Sequence, residues 1–339
     1  MENMERYMRR ALQLARNGMG FASPNPMVGA VIVAPDGRVI GEGWHRRCGQ
    51  GHAEVNAVAS VAVADEPLLT QSTMYVTLEP CSHYGKTPPC AELILRKGIP
   101  HVVVAMLDPF EKVAGRGIAM LRDAGVKVDV GMLEEESRSL NRRFITAHTQ
   151  HRPFITLKWA ESADGFMDWT RNESHRGACR FSTTLSTLST MRMRSMHDAI
   201  LTTSSTVIAD DSRLTVRDWD GNAPKRVILD AHGRLTGNET VFSGEAPIVF
   251  GPNDEHELSN ILHSLYSNHG ITSLMVEAGP RLLSILLAEG LWDVARREVA
   301  TSVLLACNGC CHAPSISSDF LSEMTLCDRN QLYYYSHGG

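Results

Sequence analysis

Four residues in the first third of the chain could do hydrolytic chemistry together: His52 and Glu54, in the run H-A-E, and Cys81 and Cys90, in P-C-S-H-Y-G-K-T-P-P-C. One imidazole and two thiolates are zinc ligands, and a zinc ion held by three protein groups keeps its fourth position for water. Such an ion lowers the pKa of that water until hydroxide forms near neutral pH. Glu54 lies two residues from His52. It is close enough to face the ion without binding it, and could shuttle a proton between the water and a leaving group. The alternatives are two buried thiols beside a helix-capping histidine, or a disulfide. The joint pattern of H-A-E, a strand, P-C and then P-P-C favours the metal.

The surrounding sequence predicts the elements that must bring these groups together. Residues 3–17 read as an amphipathic helix with Tyr7, Met8, Ala11, Leu12 and Ala15 on one face and Gly18 as its stop. V-G-A-V-I-V (28–33) is a strand, Asp36-Gly37 a hairpin turn and R-V-I-G-E-G-W the returning strand. Residues 52–63 form a helix that begins at His52, and M-Y-V-T-L (74–78) is a buried strand that delivers the chain to Pro80. A helix follows Pro88-Pro89, since proline is tolerated in a first turn. A strand at 101–106, a helix at 117–125, a strand at 126–131 and a last helix at 133–147 complete the series. After a linker at 149–153, strands at 154–160, 198–203, 225–230, 247–250 and 273–279 alternate with helices near 184–196, 255–268 and 280–289. The tyrosines 333–335 read as a terminal strand. Strand–helix alternation of this kind means layered α/β structure, here in two domains that divide near residue 150.

Composition sets the limits. A chain of 339 residues, 43% hydrophobic, can bury two cores more readily than one. A net charge of −5 offers no basic field for nucleic acid or an anionic membrane. No apolar run approaches the roughly 18 residues of a membrane span. The charged start M-E-N-M-E-R-Y-M-R-R lacks the apolar stretch of a signal peptide, so a cytoplasmic location is expected. The eight cysteines are then expected as thiols or ligands rather than disulfides. C-N-G-C-C-H (307–312) interrupts the haem-attachment pattern and is read as free thiols. No G-x-G-x-x-G follows a strand, which disfavours a Rossmann domain.

The motifs S-P-N-P-M-V-G-A-V-I-V (23–33), H-A-E (52–54), P-C-S-H-Y-G-K-T-P-P-C (80–90), V-A-G-R-G (113–117) and L-N-R-R-F (140–144) resemble the deaminase half of the bifunctional riboflavin-biosynthesis deaminase/reductase family, the RibD type. The eight-residue spacer between the cysteines departs from the P-C-x-x-C of other zinc nucleobase deaminases. The resemblance implies a substrate, a diaminopyrimidinone carrying a ribosylamino 5-phosphate, from which ammonia leaves. It implies one zinc ion per chain on His52, Cys81 and Cys90, with Glu54 catalytic. It implies further that Asn25 binds the pyrimidine, and that His45, His83 and Lys86 bind the ribose phosphate.

The resemblance continues through R-P-F-I-T-L-K-W-A-E-S-A-D-G (152–165), D-A-I-L-T-T-S-S-T-V-I-A-D-D-S-R-L-T-V-R (198–217) and V-E-A-G-P (276–280) to an NADPH-dependent reductase half. The implied fold is α/β: a cytidine-deaminase-like three-layer α/β/α domain at 1–148, then a dihydrofolate-reductase-like α/β domain at 152–337. Ala160, Arg180, Thr206, Asp210 and Gly279 are implied as cofactor contacts. Ala178, Arg194, Leu214, Arg217 and Glu277 are implied as contacts of the reductase substrate. Three departures stand out: Arg180 where the family carries tryptophan, Ser212 where it carries proline, and A-T-S-V-L-L-A-C (300–307) without the usual proline and glycine. A homodimer or larger homo-oligomer is the family expectation. The competing functions are a deaminase with an inactive reductase-like half, which NADPH binding would separate, and a base-editing deaminase on nucleic acid. The net negative charge argues against the latter.

Overall fold

In the computed structural model, which describes residues 2–84, 88–110, 114–170, 177–305 and 311–337, the chain divides by its internal contacts into units Met1–His151 and Arg152–Gly339. Among the described residues, no helix is long and apolar enough to cross a membrane. The segment C-N-G-C-C-H, read as free thiols, lies mostly outside the described residues. Of its cysteines only Cys311 is described, as an exposed thiol.

In the first unit, strands β1 (Gly29–Val33), β2 (Val39–Trp44), β3 (Thr73–Leu78), β4 (His101–Met106) and β5 (Lys127–Val130) form one sheet in the order β2-β1-β3-β4-β5. The β1–β2 and β1–β3 pairs are antiparallel, and β3–β4 and β4–β5 are parallel. Helices α1 (Glu2–Ala15), α2 (Ala53–Ala59), α3 (Cys90–Arg96), α4 (Arg116–Asp123), α5 (Glu134–Leu140) and α6 (Arg142–Gln150) accompany it. Period-two alternation sends Ile32, Met74, Val76, Val102 and Val104 into one apolar layer with Ala57, Ala91, Ile94 and Leu121 of α2, α3 and α4. Val31, Val33, Tyr75, Val103 and Ala105 meet Met8, Ala11 and Leu12 of α1 on the opposite face.

Two helices differ from the sequence expectation. The helix expected over 52–63 stops at Ala59, where the Ser60 hydroxyl turns back to the Ala57 carbonyl at 2.8 Å. Residues 60–62 leave the helix in a turn, and a 3-10 stretch follows at Val63–Gln71. The helix expected over 133–147 breaks at Asn141. That buried side chain clamps the backbone of Met27, accepting from its N–H at 2.8 Å and donating to its carbonyl at 3.0 Å.

Backbone contact sets where α2 lies. A Cβ on Gly43 would stand 2.3 Å from the Ala57 nitrogen and 2.5 Å from the Ala53 oxygen, and one on Gly41 would stand 2.5 Å from the Ala57 oxygen. Helix backbone therefore rests directly on strand backbone, which only glycine permits. On the far side of the site, the buried Glu79 carboxylate accepts N–H bonds from Asp108, Gly115, Gly117 and Ile118 at 2.9–3.3 Å. A Cβ on Gly117 would fall 1.9 Å from the Pro80 oxygen, so the start of α4 packs against the residue before Cys81.

In the second unit, β6 (Phe154–Ser162), β8 (Ala199–Thr203), β9 (Lys225–Leu229), β10 (Ile248–Phe250), β11 (Ser273–Val276), β12 (Val294–Ala300), β14 (Leu321–Cys327) and β15 (Asn330–Ser336) form a sheet in the order β10-β9-β8-β11-β6-β12-β15-β14. The first six strands in that order are parallel, and β15 is antiparallel to both its neighbours. The short β7 (Phe166–Asp168) pairs with β13 (Cys311–His312). Helices α7 (Thr184–Ser195), α8 (Ser204–Asp210), α9 (Leu258–Ser267) and α10 (Pro280–Ala288) complete the unit. One face of the sheet carries an apolar core with Ile261, Leu262 and Leu265 of α9 and Leu282, Leu283 and Leu286 of α10.

The helix α7 has no apolar stripe, and polar groups hold it down. Arg296 of β12 donates to the Thr190 hydroxyl at 2.9 Å and the Ser186 carbonyl at 3.3 Å. Glu298 accepts from the hydroxyls of Ser186 at 2.6 Å and Ser182 at 2.8 Å, and from the Asn330 amide at 2.7 Å.

Replacing Gly43→Ala should lower unfolding stability by about 1–3 kcal/mol or more, because the α2 backbone against it cannot make room as a flexible side chain would. Denaturant unfolding with an unchanged slope checks this. A wild-type midpoint would mean that α2 does not bear on β2 as described.

Candidate active sites

His52 is the residue just before α2 and has extended backbone angles, φ −68 and ψ 170, so its ring projects where the helix begins. Cys81 follows β3, and Cys90 is the first residue of α3. The His52 Nδ1 lies 3.5 Å from the Cys81 Sγ and 3.4 Å from the Cys90 Sγ. All three donor atoms lie within 4.8 Å of one another, the one such group of three or more among the described residues. Two soft sulfurs and one imidazole nitrogen at this spacing fit a single tetrahedral zinc ion with one coordination position left over.

The local electrostatics agree with a cation site. A hydrogen bond from Cys90 holds the Cys81 thiol down to about 4. The shared proton and burial push Cys90 up. The bond to Cys81 raises His52 above its ordinary value. A divalent cation between these sulfurs would displace the Cys90 proton as well. Glu54, in the first turn of α2, is 3% exposed. Burial pushes its carboxyl up to about 7, and the neighbouring Cys81 charge adds to the rise.

His52, Cys81 and Glu54 line a cavity of about 480 Å³ together with Asn25, His45, His83, Glu79, Asp108, Phe110, Phe144 and His148, while Cys90 is buried outside that lining. Asn25, His45 and His83 therefore come together with the metal ligands, as their motifs implied. Lys86 lies outside the described residues. His45 has a protein partner at each ring nitrogen. Its Nε2 meets the Asn25 amide nitrogen at 3.1 Å and its Nδ1 meets the Gly51 carbonyl at 3.2 Å. Burial lowers the pKa of its ring.

Sequence reasoning missed Phe110, Phe144 and His148. Phe144 and His148 stand one helical turn apart on α6 with ring centroids 4.4 Å apart, and Phe110 is 6.1 Å from the His148 ring. The four-residue spacing of two rings on a helix was the available signal.

A larger cleft, about 1120 Å³, opens in the second unit. Of the residues expected there, Ala160, Thr206, Asp210, Gly279, Arg194, Leu214 and Glu277 line it. Ala178, Arg180 and Arg217 are exposed and lie outside that lining. Arg194 and Glu277, expected as separate substrate ligands, are partners. The guanidinium donates from Nε to Glu277 Oε1 at 2.7 Å and from Nη2 to Oε2 at 2.9 Å, and its Nη1 donates to the Thr215 carbonyl at 2.9 Å. Burial alone would raise the Glu277 carboxyl, yet Arg194 and Lys158 hold it below its ordinary value.

Lys158 is the residue that sequence reasoning quoted without giving it a role. It sits mid-strand on β6, lines the cleft, and is half-buried. Burial lowers its ammonium pKa against the pull of Glu277 and Glu298. A lysine in the middle of the apolar run F-I-T-L-K-W-A was the signal.

A family model described as the cytidine and deoxycytidylate deaminase zinc-binding region matches residues 1–106, and one described as the RibD C-terminal domain matches residues 153–304. The riboflavin biosynthesis protein RibD of Aquifex aeolicus is 40% identical over 308 residues, covering 85% of this chain and 84% of that protein. The Escherichia coli protein of the same name is 34% identical over 92% of both chains. The solved structure of Acinetobacter baumannii RibD, form 1, matches with a TM-score of 0.88 at 33% identity, over 100% of this chain and 99% of that one. A Thermotoga maritima structure, named as a diaminohydroxyphosphoribosylaminopyrimidine deaminase/5-amino-6-(5-phosphoribosylamino)uracil reductase, matches with a TM-score of 0.86 at 34% identity over 99% of both. With a His-Cys-Cys triad that could hold a metal ion in one unit, a lined cleft in the other and relatives of this identity along nearly its whole length, the chain belongs to the RibD family of riboflavin biosynthesis proteins.

Proposed function

We propose that the chain performs two consecutive steps of riboflavin biosynthesis. Residues 1–148 deaminate 2,5-diamino-6-ribosylamino-4(3H)-pyrimidinone 5′-phosphate, and residues 152–337 reduce the ribosyl group of the resulting aminouracil to ribityl with NADPH. The observation that carries this reading is the convergence of the His52, Cys81 and Cys90 donor atoms beside a cavity that His52, Cys81, Glu54 and Asn25 line.

A zinc ion held by His52 and the two sulfurs would supply a water acidic enough to ionise near neutral pH. Glu54 takes a proton at a carboxylate oxygen and delivers it to the exocyclic nitrogen, which leaves as ammonia. Glu54 is buried beside the donor atoms, so bulk water does not compete for that proton. Asn25, held by His45, presents its amide to the pyrimidine edge. His83 and Lys86 are left to receive the phosphate.

In the second unit NADPH supplies the hydride. Opening the ribosyl ring requires a proton at the ring oxygen, and the lowered pKa of Lys158 suits it to give one. Glu277, fixed at both oxygens by Arg194, accepts from sugar hydroxyls with lone pairs that the guanidinium leaves open. Ala160, Thr206 and Asp210 contact the cofactor. Gly279 faces open space, with no atom within 4 Å of a Cβ built there, so a pyrophosphate can approach its backbone.

Glu54→Gln should cut ammonia release by about 10²–10⁴-fold. NADPH oxidation started from the undeaminated substrate should stop with it, while oxidation started from the deaminated product persists. NADPH oxidation from the undeaminated substrate at the wild-type rate would contradict the order of the two steps. Lys158→Met should leave ammonia release in place and lower NADPH oxidation on the deaminated product by at least about tenfold. An unchanged reduction rate would remove Lys158 from the chemistry.

A further inference from the structure

Three rings that line the first unit's cavity have no part in the chemistry assigned so far: Phe110, Phe144 and His148. Phe110 follows β4, and the other two belong to α6. Their placement starts from Asn141, at the head of that helix, whose amide holds the Met27 backbone through both its N–H and its carbonyl. Met27 stands between Pro26 and Val28, which line the same cavity. Residues three and seven positions further along a helix share the face of the first. The Asn141 clamp therefore brings Phe144 and His148 to the side on which the segment from Asn25 to Val28 runs.

The rings also hold one another. Phe144 and His148 have centroids 4.4 Å apart with planes inclined by 58°. Phe110 meets His148 edge-on at 6.1 Å and 64°. Tilted contacts at such distances are the arrangement that aromatic groups favour, so each ring limits the rotation of the next. Burial lowers the pKa of the His148 ring, and His151 adds to the effect. The imidazole is thus suited to serve as a neutral flat surface.

A flat heterocycle needs polar groups at its edge and apolar contact on its face. Asn25 and Glu54 lie in the lining for the edge, and the three rings supply the face. Bases stack on phenyl and imidazole rings in this way. We infer that Phe110, Phe144 and His148 form the platform on which the pyrimidine ring of the deaminase substrate lies, and so set how tightly it is held. This rests on the deaminase reading above and adds specificity residues to it. Phe110 and His148 stand outside the motifs of the resemblance, and Phe144 closes L-N-R-R-F without a role implied for it.

The test is steady-state ammonia release by the full zinc-loaded chain over a range of pH, with NADPH oxidation on the deaminated product as a control for folding. His148→Ala should raise KM by about 5- to 100-fold, the range that loss of one stacking ring brings, and lower kcat by less than about threefold. His148→Phe should return KM to within about threefold of wild type, since it restores a ring without nitrogens. Its pH profile should match that of the wild type. A wild-type KM in His148→Ala would overturn the platform. So would a His148→Phe variant as impaired as His148→Ala, or one with a shifted pH profile, because the imidazole would then act through its nitrogens. Phe110 is 39% exposed, so Phe110→Ala decides the matter if His148→Ala loses both activities: a raised KM supports the platform, and a wild-type KM overturns it. A wild type that releases no ammonia would overturn the deaminase reading, and this inference with it.

Discussion

In the first unit, helix backbone lies on strand backbone where α2 crosses Gly41 and Gly43 of β2, and the placement of His52 and Glu54 depends on that contact. Any side chain at those positions would lift α2 and carry His52 and Glu54 away from the cysteines. The cysteines are held from the other direction. Glu79 gathers four N–H groups around the start of α4, and Gly117 lets that start press on Pro80. The donors therefore converge from separate elements, each seated by contacts with almost no slack. That is the condition a metal site needs to keep one coordination position free of protein ligands.

The second unit meets a different constraint. Its cleft floor carries Lys158 and Arg194 beside Glu277, with Arg296 and Glu298 behind them. In register, Lys158 of β6 stands opposite Arg296 of β12, and Ala160 opposite Glu298. Burial works against each of these charges, and the opposite charges and hydroxyls around them offset it. The same network fastens α7, the helix that brings Arg194 to the cleft. Charge compensation thus does in this layer what apolar packing does under α9 and α10.

The parts of the fold that the sequence made legible are those whose pattern is local. β1, β3 and β4 are apolar runs bounded by turn residues, and the H-A-E and P-C motifs sit next to strands, so the grouping of His52, Cys81 and Cys90 was readable before any contact was known. The parts that escaped depend on distant partners. The strand β12, V-A-R-R-E-V-A, carries three charges in its middle and does not read as a buried strand until Ser186, Thr190 and Asn330 are placed around it. The break at Asn141 exists because its side chain serves Met27, 114 residues away. The pairing of Arg194 with Glu277, 83 residues apart, was likewise invisible, although each residue had been singled out by its motif. The contacts of His45 with Asn25 and Gly51 were hidden for the same reason.

Anomalous scattering at the zinc absorption edge, from crystals of the purified chain, tests the central claim most directly. The account predicts one peak per chain bonded to the His52 Nδ1 at about 2.0–2.1 Å and to the Cys81 and Cys90 sulfurs at about 2.3 Å, with a solvent oxygen as fourth ligand facing Glu54. A Cys81–Cys90 disulfide, or a zinc ion closed off by a fourth protein ligand, would contradict it.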